Sequence, residues 1–201
     1  MIASTASSHA PSLNTAGGAE RASRSGIWVG LFAITMSFAA FSSALFVREG
    51  TPDWGHLVLP SILYLNTFVL LLSSGTLELS RRSLAHATVA DSTAATGGIG
   101  WLLCTLALGI AFCCGQYLAW QNLRAQGIYL ATNPNSSFFY VLTFIHVLHL
   151  LAGIVALLYL TARFVFRRAA FRRSLLDNTA IYWHFLCVLW IYLFLLCRMK
   201  L

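Results

Sequence analysis

Acidic side chains are scarce in this sequence. Only six occur: Glu20, Glu49, Asp53, Glu78, Asp91 and Asp177. None falls in the middle of a long apolar run. Proton pumps and ion-coupled transporters place carboxylates at mid-membrane depth, although a charge there costs at least roughly 2.5–3.5 kcal/mol. A proton path through this chain alone is therefore disfavoured. Charged residues of both signs make up 9% of the chain, where a soluble domain carries about 25%, so no polar surface remains for a separate water-soluble domain. The five cysteines, Cys104, Cys113, Cys114, Cys187 and Cys197, form no CxxC pair, and their spacing supports neither zinc nor disulfide use. They read as small apolar fillers. Internal repeats are also missing, which removes the sign of an inverted-repeat transporter. Residues 1–25 lack a basic start followed by an apolar core, so a cleaved signal peptide is not expected. Their Ala, Ser, Thr and Gly content predicts a disordered tail.

What the sequence does have is length without polarity. Hydrophobic residues are 58% of the 201, and they gather into five runs, at about 27–47, 58–78, 99–119, 138–162 and 179–197. A hydrocarbon core about 30 Å thick needs about 20 mostly apolar residues per helix. The runs are too long and too little alternating for barrel strands, and lipid leaves helices as the other spanning structure. The expected fold is an all-α polytopic membrane bundle of five transmembrane helices, in a membrane domain over residues 26–201. Lys and Arg are unevenly divided between its two sides. Nine (Arg21, Arg24, Arg81, Arg82, Arg163, Arg167, Arg168, Arg172, Arg173) fall on the side of the N-terminus and four (Arg48, Arg124, Arg198, Lys200) on the other. The positive-inside rule then predicts a cytoplasmic N-terminus and an outside C-terminus. The net charge of +7 suits anionic lipid headgroups; no soluble surface exists to present it to nucleic acid.

Several polar side chains lie within the runs. Asn66, Ser73 and Ser74 share a face of the second span, which should point into the bundle. Glu78 precedes Arg81 and Arg82 at i+3 and i+4, a spacing for local ion pairs. The small residues of the first span predict close packing against protein on more than one side. Gln116 can hydrogen-bond across helices, and Tyr182, Trp183 and His184 open the fifth span. His146 and His149 share a face of the fourth at i, i+3, where neutral imidazole could ligate haem iron or copper. At about 1.5 Å per residue, His149 and His184 differ in height by about 6 Å across the core, which disfavours a haem between them. The plainer expectation is interhelical or lipid contact for His146, His149, His184, Tyr182, Trp183, Asn66 and Gln116, with no catalytic, cofactor or metal residue.

Three segments carry a family resemblance. "FFYVLTFIHVLHLLAGIVAL" (138–157) resembles the "FF..TG.HG.HV..G" helix of subunit III of haem–copper oxidases. "YWHFLCVLWIYLF" (182–194) is similar to that family's final helix, usually "YWHFVDVVWLFLF", and "GQYLAWQNL" (115–123) to its "GQ..EW..L" segment. Order and spacing agree from about residue 26 to 198. The resemblance implies a five-helix bacterial form of cytochrome c oxidase subunit III, lacking the first two helices of seven-helix members. It further implies a non-catalytic subunit of a cell inner (plasma) membrane complex in aerobic electron transport. Its partners would be subunit I chiefly, then subunit II and other respiratory subunits; haem and copper would sit in those partners, and structural phospholipid on this chain. Two departures stand out. The carboxylate of a "SEVMFF"-like pattern is absent, with Met36 near its position, and the Asp of "HFVDVVW" is Cys187.

Other assignments stay open: subunit III of a quinol oxidase, or a homologue serving nitric oxide reductase. Outside the family stand a small membrane transporter and a haem b anchor.

Overall fold

The computed structural model describes residues 12–50, 54, 59–86, 92–167 and 173–200, with side chains over 24–50, 54, 59–84, 97–164 and 174–200. All secondary structure among them is helical: α1 (Ser12–Glu49), α2 (Ile62–His86), α3 (Ser92–Ala125), α4 (Pro134–Arg167) and α5 (Arg173–Lys200). All five contain stretches long and apolar enough to cross a membrane, so the chain is a multi-pass membrane protein.

Helices α1, α3, α4 and α5 outrun their expected spans at both ends, whereas α2 begins at Ile62, inside the expected 58–78, and runs on past it to His86. The apolar run measures the hydrocarbon core, but a helix already nucleated continues into the headgroup region while its residues are good helix formers. So α1 reaches back to Ser12 through the later part of the expected tail, where Ala16, Ala19, Glu20, Arg21, Ala22 and Arg24 are good helix formers; residues 1–11 lie outside the described residues. Local chemistry sets the other ends. Helix α3 stops at Gly127, whose φ of +77° is left-handed and suits a residue without Cβ. There the Gly127 N–H bonds Arg124 O at 2.9 Å and the Ile128 N–H bonds Leu123 O at 3.0 Å, a Schellman closure. Helix α4 begins with Pro134, whose missing N–H costs nothing in a first turn. The Asn133 N–H just before it donates to Ser136 Oγ at 3.2 Å.

Helices α2, α3, α4 and α5 close a square in chain order, each packed on two neighbours, and α1 lies outside against α4 and α5. Its heptad-spaced Leu31, Phe38 and Leu45 are buried, whereas Trp28, Phe32 and Met36 are exposed. In the single chain α1 is thus covered along one side, less than its small residues suggested. The square's interior is filled by Phe112, Phe139, Trp183 and Trp190 with leucines of all four helices. Two short tethers hold the chain ends of α1 and α5 together: Lys200 Nζ lies 3.0 Å from Glu49 Oε2, and Trp54 Nε1 donates to Lys200 O at 3.1 Å.

Candidate functional site

Of the polar side chains expected at helix contacts, Ser73, Ser74, Trp183 and His184 lie along the α2–α5 seam of this square. The α2–α5 seam is a ladder. Trp190 Nε1 donates to Thr67 Oγ1 at 3.0 Å, Cys187 Sγ to Leu70 O at 3.6 Å, and Trp183 Nε1 to Ser73 Oγ at 2.9 Å. One rung further, Ser74 Oγ and His184 Nδ1 share a hydrogen bond of 2.6 Å. The residue sums of these pairs are nearly constant, as antiparallel helices in one register require. Beyond His184 comes Glu78, whose Oε2 is 3.9 Å from His184 Nε2. It also pairs with Arg81 at 3.2 Å and Arg82 at 2.9 Å, as its spacing predicts.

The three histidines face three different neighbours. His146 is fully buried inside the square, 5.1 Å from the Trp190 ring and 6.1 Å from Phe112. His149 turns toward α1, its ring 5.9 Å from Phe38, and its Nδ1 donates to Ile145 O at 2.8 Å. His184 turns toward α2. Among the described residues no three His, Cys, Asp or Glu side chains gather as a metal site would require. Tyr182 donates its hydroxyl to the His149 carbonyl at 2.9 Å, tying α5 to α4.

Glycine permits close approach at several places, among them Gly98, where an added Cβ would come to 2.5 Å of the Leu84 side chain. The Trp183 ring fills the space over Gly109 and Gly153, where added Cβ atoms would come to 2.8 and 3.1 Å of it. A Cβ on Gly115 would overlap the Asn66 carboxamide. Asn66 and Gln116 are buried between α2, α3 and the interior.

The hydroxyl partners were invisible as partners in the sequence. Thr67, Thr76–Thr105 (2.9 Å), Trp120–Thr143 (3.1 Å) and Ser80 to Gly98 O (2.8 Å) knit the helices. A Trp at an inward position marks a donor in need of an acceptor, but naming the acceptor needs the register. Also unforeseen is a groove of about 350 Å³ near the ends of α3 and α4 on the C-terminal side. It is lined by Tyr117, Trp120, Arg124, Leu130, Tyr140, Val141 and Phe144. At the two family departures, Met36 is exposed on α1 and the Cys187 thiol bonds a backbone carbonyl.

The comparisons with known proteins bear on what such a bundle is. A family model described as "Cytochrome c oxidase subunit III" matches residues 27–199. The chain is 32% identical to cytochrome c oxidase subunit 3 of Synechocystis sp., over 86% of this chain and 69% of that one. It is 28% identical to quinol oxidase subunit 3 of Bacillus subtilis, over 84% and 82%. Identity to a probable cytochrome c oxidase subunit 3 of Mycobacterium tuberculosis is 32%, over 47% of each, so there the match spans about half the relative's length. With nearly all of its membrane region matched in one order, the chain belongs to the cytochrome c oxidase subunit III family.

Proposed function

We propose that the chain is the non-catalytic subunit III of a bacterial terminal oxidase that reduces oxygen with electrons from cytochrome c. It would pack against subunit I, with subunit II and other respiratory subunits nearby, and steady the enzyme through turnover. The observation that carries this is where the polar side chains go. The indoles of Trp120, Trp183 and Trp190, the hydroxyls of Thr67, Ser73, Ser74, Thr76 and Tyr182, and the His184 imidazole join one helix to another. Such interhelical bonding suits a scaffold, and in this reading haem and copper would sit in the partner subunits. The quinol oxidase reading stays as the alternative, since the relatives of both names match over similar shares of this chain.

Two further features fit the scaffold role. The uncovered side of α1 offers Gly26, Gly30, Ala33, Ser37, Ala40 and Ala44, small residues over which another membrane helix packs closely. The groove of α3 and α4 suits structural phospholipid: its walls are apolar and aromatic, and Arg124 stands at the headgroup level of the C-terminal side. On the charge bias, that side is the outside one and the N-terminus is cytoplasmic.

Affinity purification of the tagged chain from mild detergent tests the assignment. The expected result is co-purification of subunits I and II with a haem spectrum and oxygen reduction. Oxidation of reduced cytochrome c supports the first reading and oxidation of quinol the second. Recovery of the chain without any haem-bearing partner, from membranes that contain an intact oxidase, refutes both.

A further inference from the structure

Three side chains in the square's interior carry polar atoms with nothing to bond. Asn66 Nδ2, both amide atoms of Gln116, and both ring nitrogens of His146 are buried with no hydrogen-bond partner among the described residues. Burying an amide or imidazole unpaired costs about 1–3 kcal/mol for each group, so five such atoms in one small core call for an explanation.

The three lie at one height. His146 touches Trp190, and Trp190 bonds Thr67, the neighbour of Asn66. The carboxamide of Asn66 abuts Gly115, the neighbour of Gln116. Along α3, Gln116 sits one turn from Phe112 and one from Trp120. Phe112 meets His146, and Trp120 bonds Thr143, which is three residues before His146 on α4. Contacts therefore close a loop around all four helices of the square, with the unpaired atoms on three of them and the Phe112 and Trp190 rings as walls.

The unpaired set specifies its ligand. Asn66 and Gln116 each offer an amide N–H. A neutral imidazole offers one N–H and one lone pair, and Gln116 Oε1 is an acceptor. A bare cation would meet two acceptors and three donors, and an anion the reverse mismatch. What fits is a small neutral molecule that donates twice and accepts at least twice. One water satisfies four of the five atoms, and two waters satisfy them all.

We infer that Asn66, Gln116 and His146 form a binding site for one or two ordered waters in the middle of the α2–α5 bundle, walled by Phe112 and Trp190. Such a layer closes only when the four helices stand at one height, so it fixes their register. The inference rests on the membrane bundle itself and is independent of which oxidase the chain serves.

Water-edited solid-state NMR of the full chain in phosphatidylethanolamine–phosphatidylglycerol bilayers tests it. The ring-nitrogen signals of ¹⁵N-labelled histidine are assigned by their loss in His146→Leu. The expected result is magnetisation transfer from water to the His146 nitrogens, and its several-fold reduction in Gln116→Leu. Absence of transfer in the unaltered protein overturns the site, whatever the variants do. So would undiminished transfer in Gln116→Leu, since the water would then be held elsewhere. Where variants fold, Asn66→Ala, Gln116→Leu and His146→Leu together should lower the unfolding midpoint by less than the three single changes summed. Full additivity contradicts a shared ligand.

Discussion

Trp183 of α5 donates its indole N–H to Ser73 Oγ of α2 at 2.9 Å while its ring lies over Gly109 of α3 and Gly153 of α4. One side chain of α5 thus touches the other three helices of the square. The ring supplies the apolar contact, and the hydroxyl satisfies the donor that contact would otherwise strand.

That contact predicts an asymmetric response to small insertions. Gly109→Ala places its Cβ 2.8 Å from Trp183 Cη2, whereas Gly153→Ala reaches only 3.1 Å. Overpacking a tight core costs about 1–3 kcal/mol. Gly109→Ala should therefore be the more destabilised of the two, seen as a lower midpoint of thermal aggregation in detergent. Equal midpoints for both variants and the unaltered chain would show that the ring moves freely.

A second glycine gives a rescue test. Gly115→Ala overlaps the Asn66 carboxamide, so α2 and α3 must separate or Asn66 must swing away. Adding Asn66→Ala removes the obstacle. The double variant should recover much of the stability lost by Gly115→Ala, with a coupling within the 0.5–3 kcal/mol found for contacting residues. Independent, additive losses would mean the two positions do not meet.

The reach of the sequence differs by element. The five spans were legible because lipid imposes a run of apolar residues on each helix, and only the ends moved, where that constraint stops. The Glu78 pairing with Arg81 and Arg82 was legible because it is local to one helix. Asn66, Ser73 and Ser74 were placed on one face by period alone, but their partners Gly115, Trp183 and His184 depend on which helices adjoin and at what height. The same gap hid the role of Thr67. The histidines show it most plainly: His146 and His149 share a face by spacing, yet the α4 face is wide enough that one looks inward and the other toward α1.

Orientation makes a third prediction. Nine Lys and Arg on the N-terminal side against four on the other place the C-terminus outside. A reporter that functions only in the cytoplasm, fused after Leu201, should be silent, and one that functions only outside should be active. The opposite pattern would invert the bundle and move the Arg124 groove to the cytoplasmic leaflet.

The Trp190–Thr67 rung offers a fourth. Trp190→Phe keeps the ring against Phe112 and His146 but deletes the donor, and Thr67→Val deletes the acceptor while keeping the shape. Hydrogen bonds between membrane helices average about 0.6 kcal/mol, with a maximum near 1.7. A double-mutant cycle on unfolding in detergent should return a coupling in that range. A coupling of zero would assign Trp190 to packing alone.

The last prediction concerns the three histidines together. His184 contributes a hydrogen bond to Ser74, His149 bonds its own helix and packs on Phe38, and His146 lies in the interior layer. Because they serve different seams, their replacement by Ala should weaken the bundle nearly independently. His149→Ala should cost least, since its ring bonds the preceding turn rather than another helix. His184→Ala should loosen α2 from α5 by about the membrane average of 0.6 kcal/mol. His146→Ala should cost most, because it opens a hole beside Trp190 and Phe112 in the buried interior. In an intact oxidase complex the initial rate of oxygen reduction should persist in all three, with faster loss of activity during sustained turnover in His146→Ala. Haem content, subunit ratio and initial rate measured on one preparation separate the outcomes. A collapse of the initial rate in a fully assembled, fully haem-loaded complex would mean that these imidazoles act on the chemistry directly, and the scaffold reading of this chain would fail.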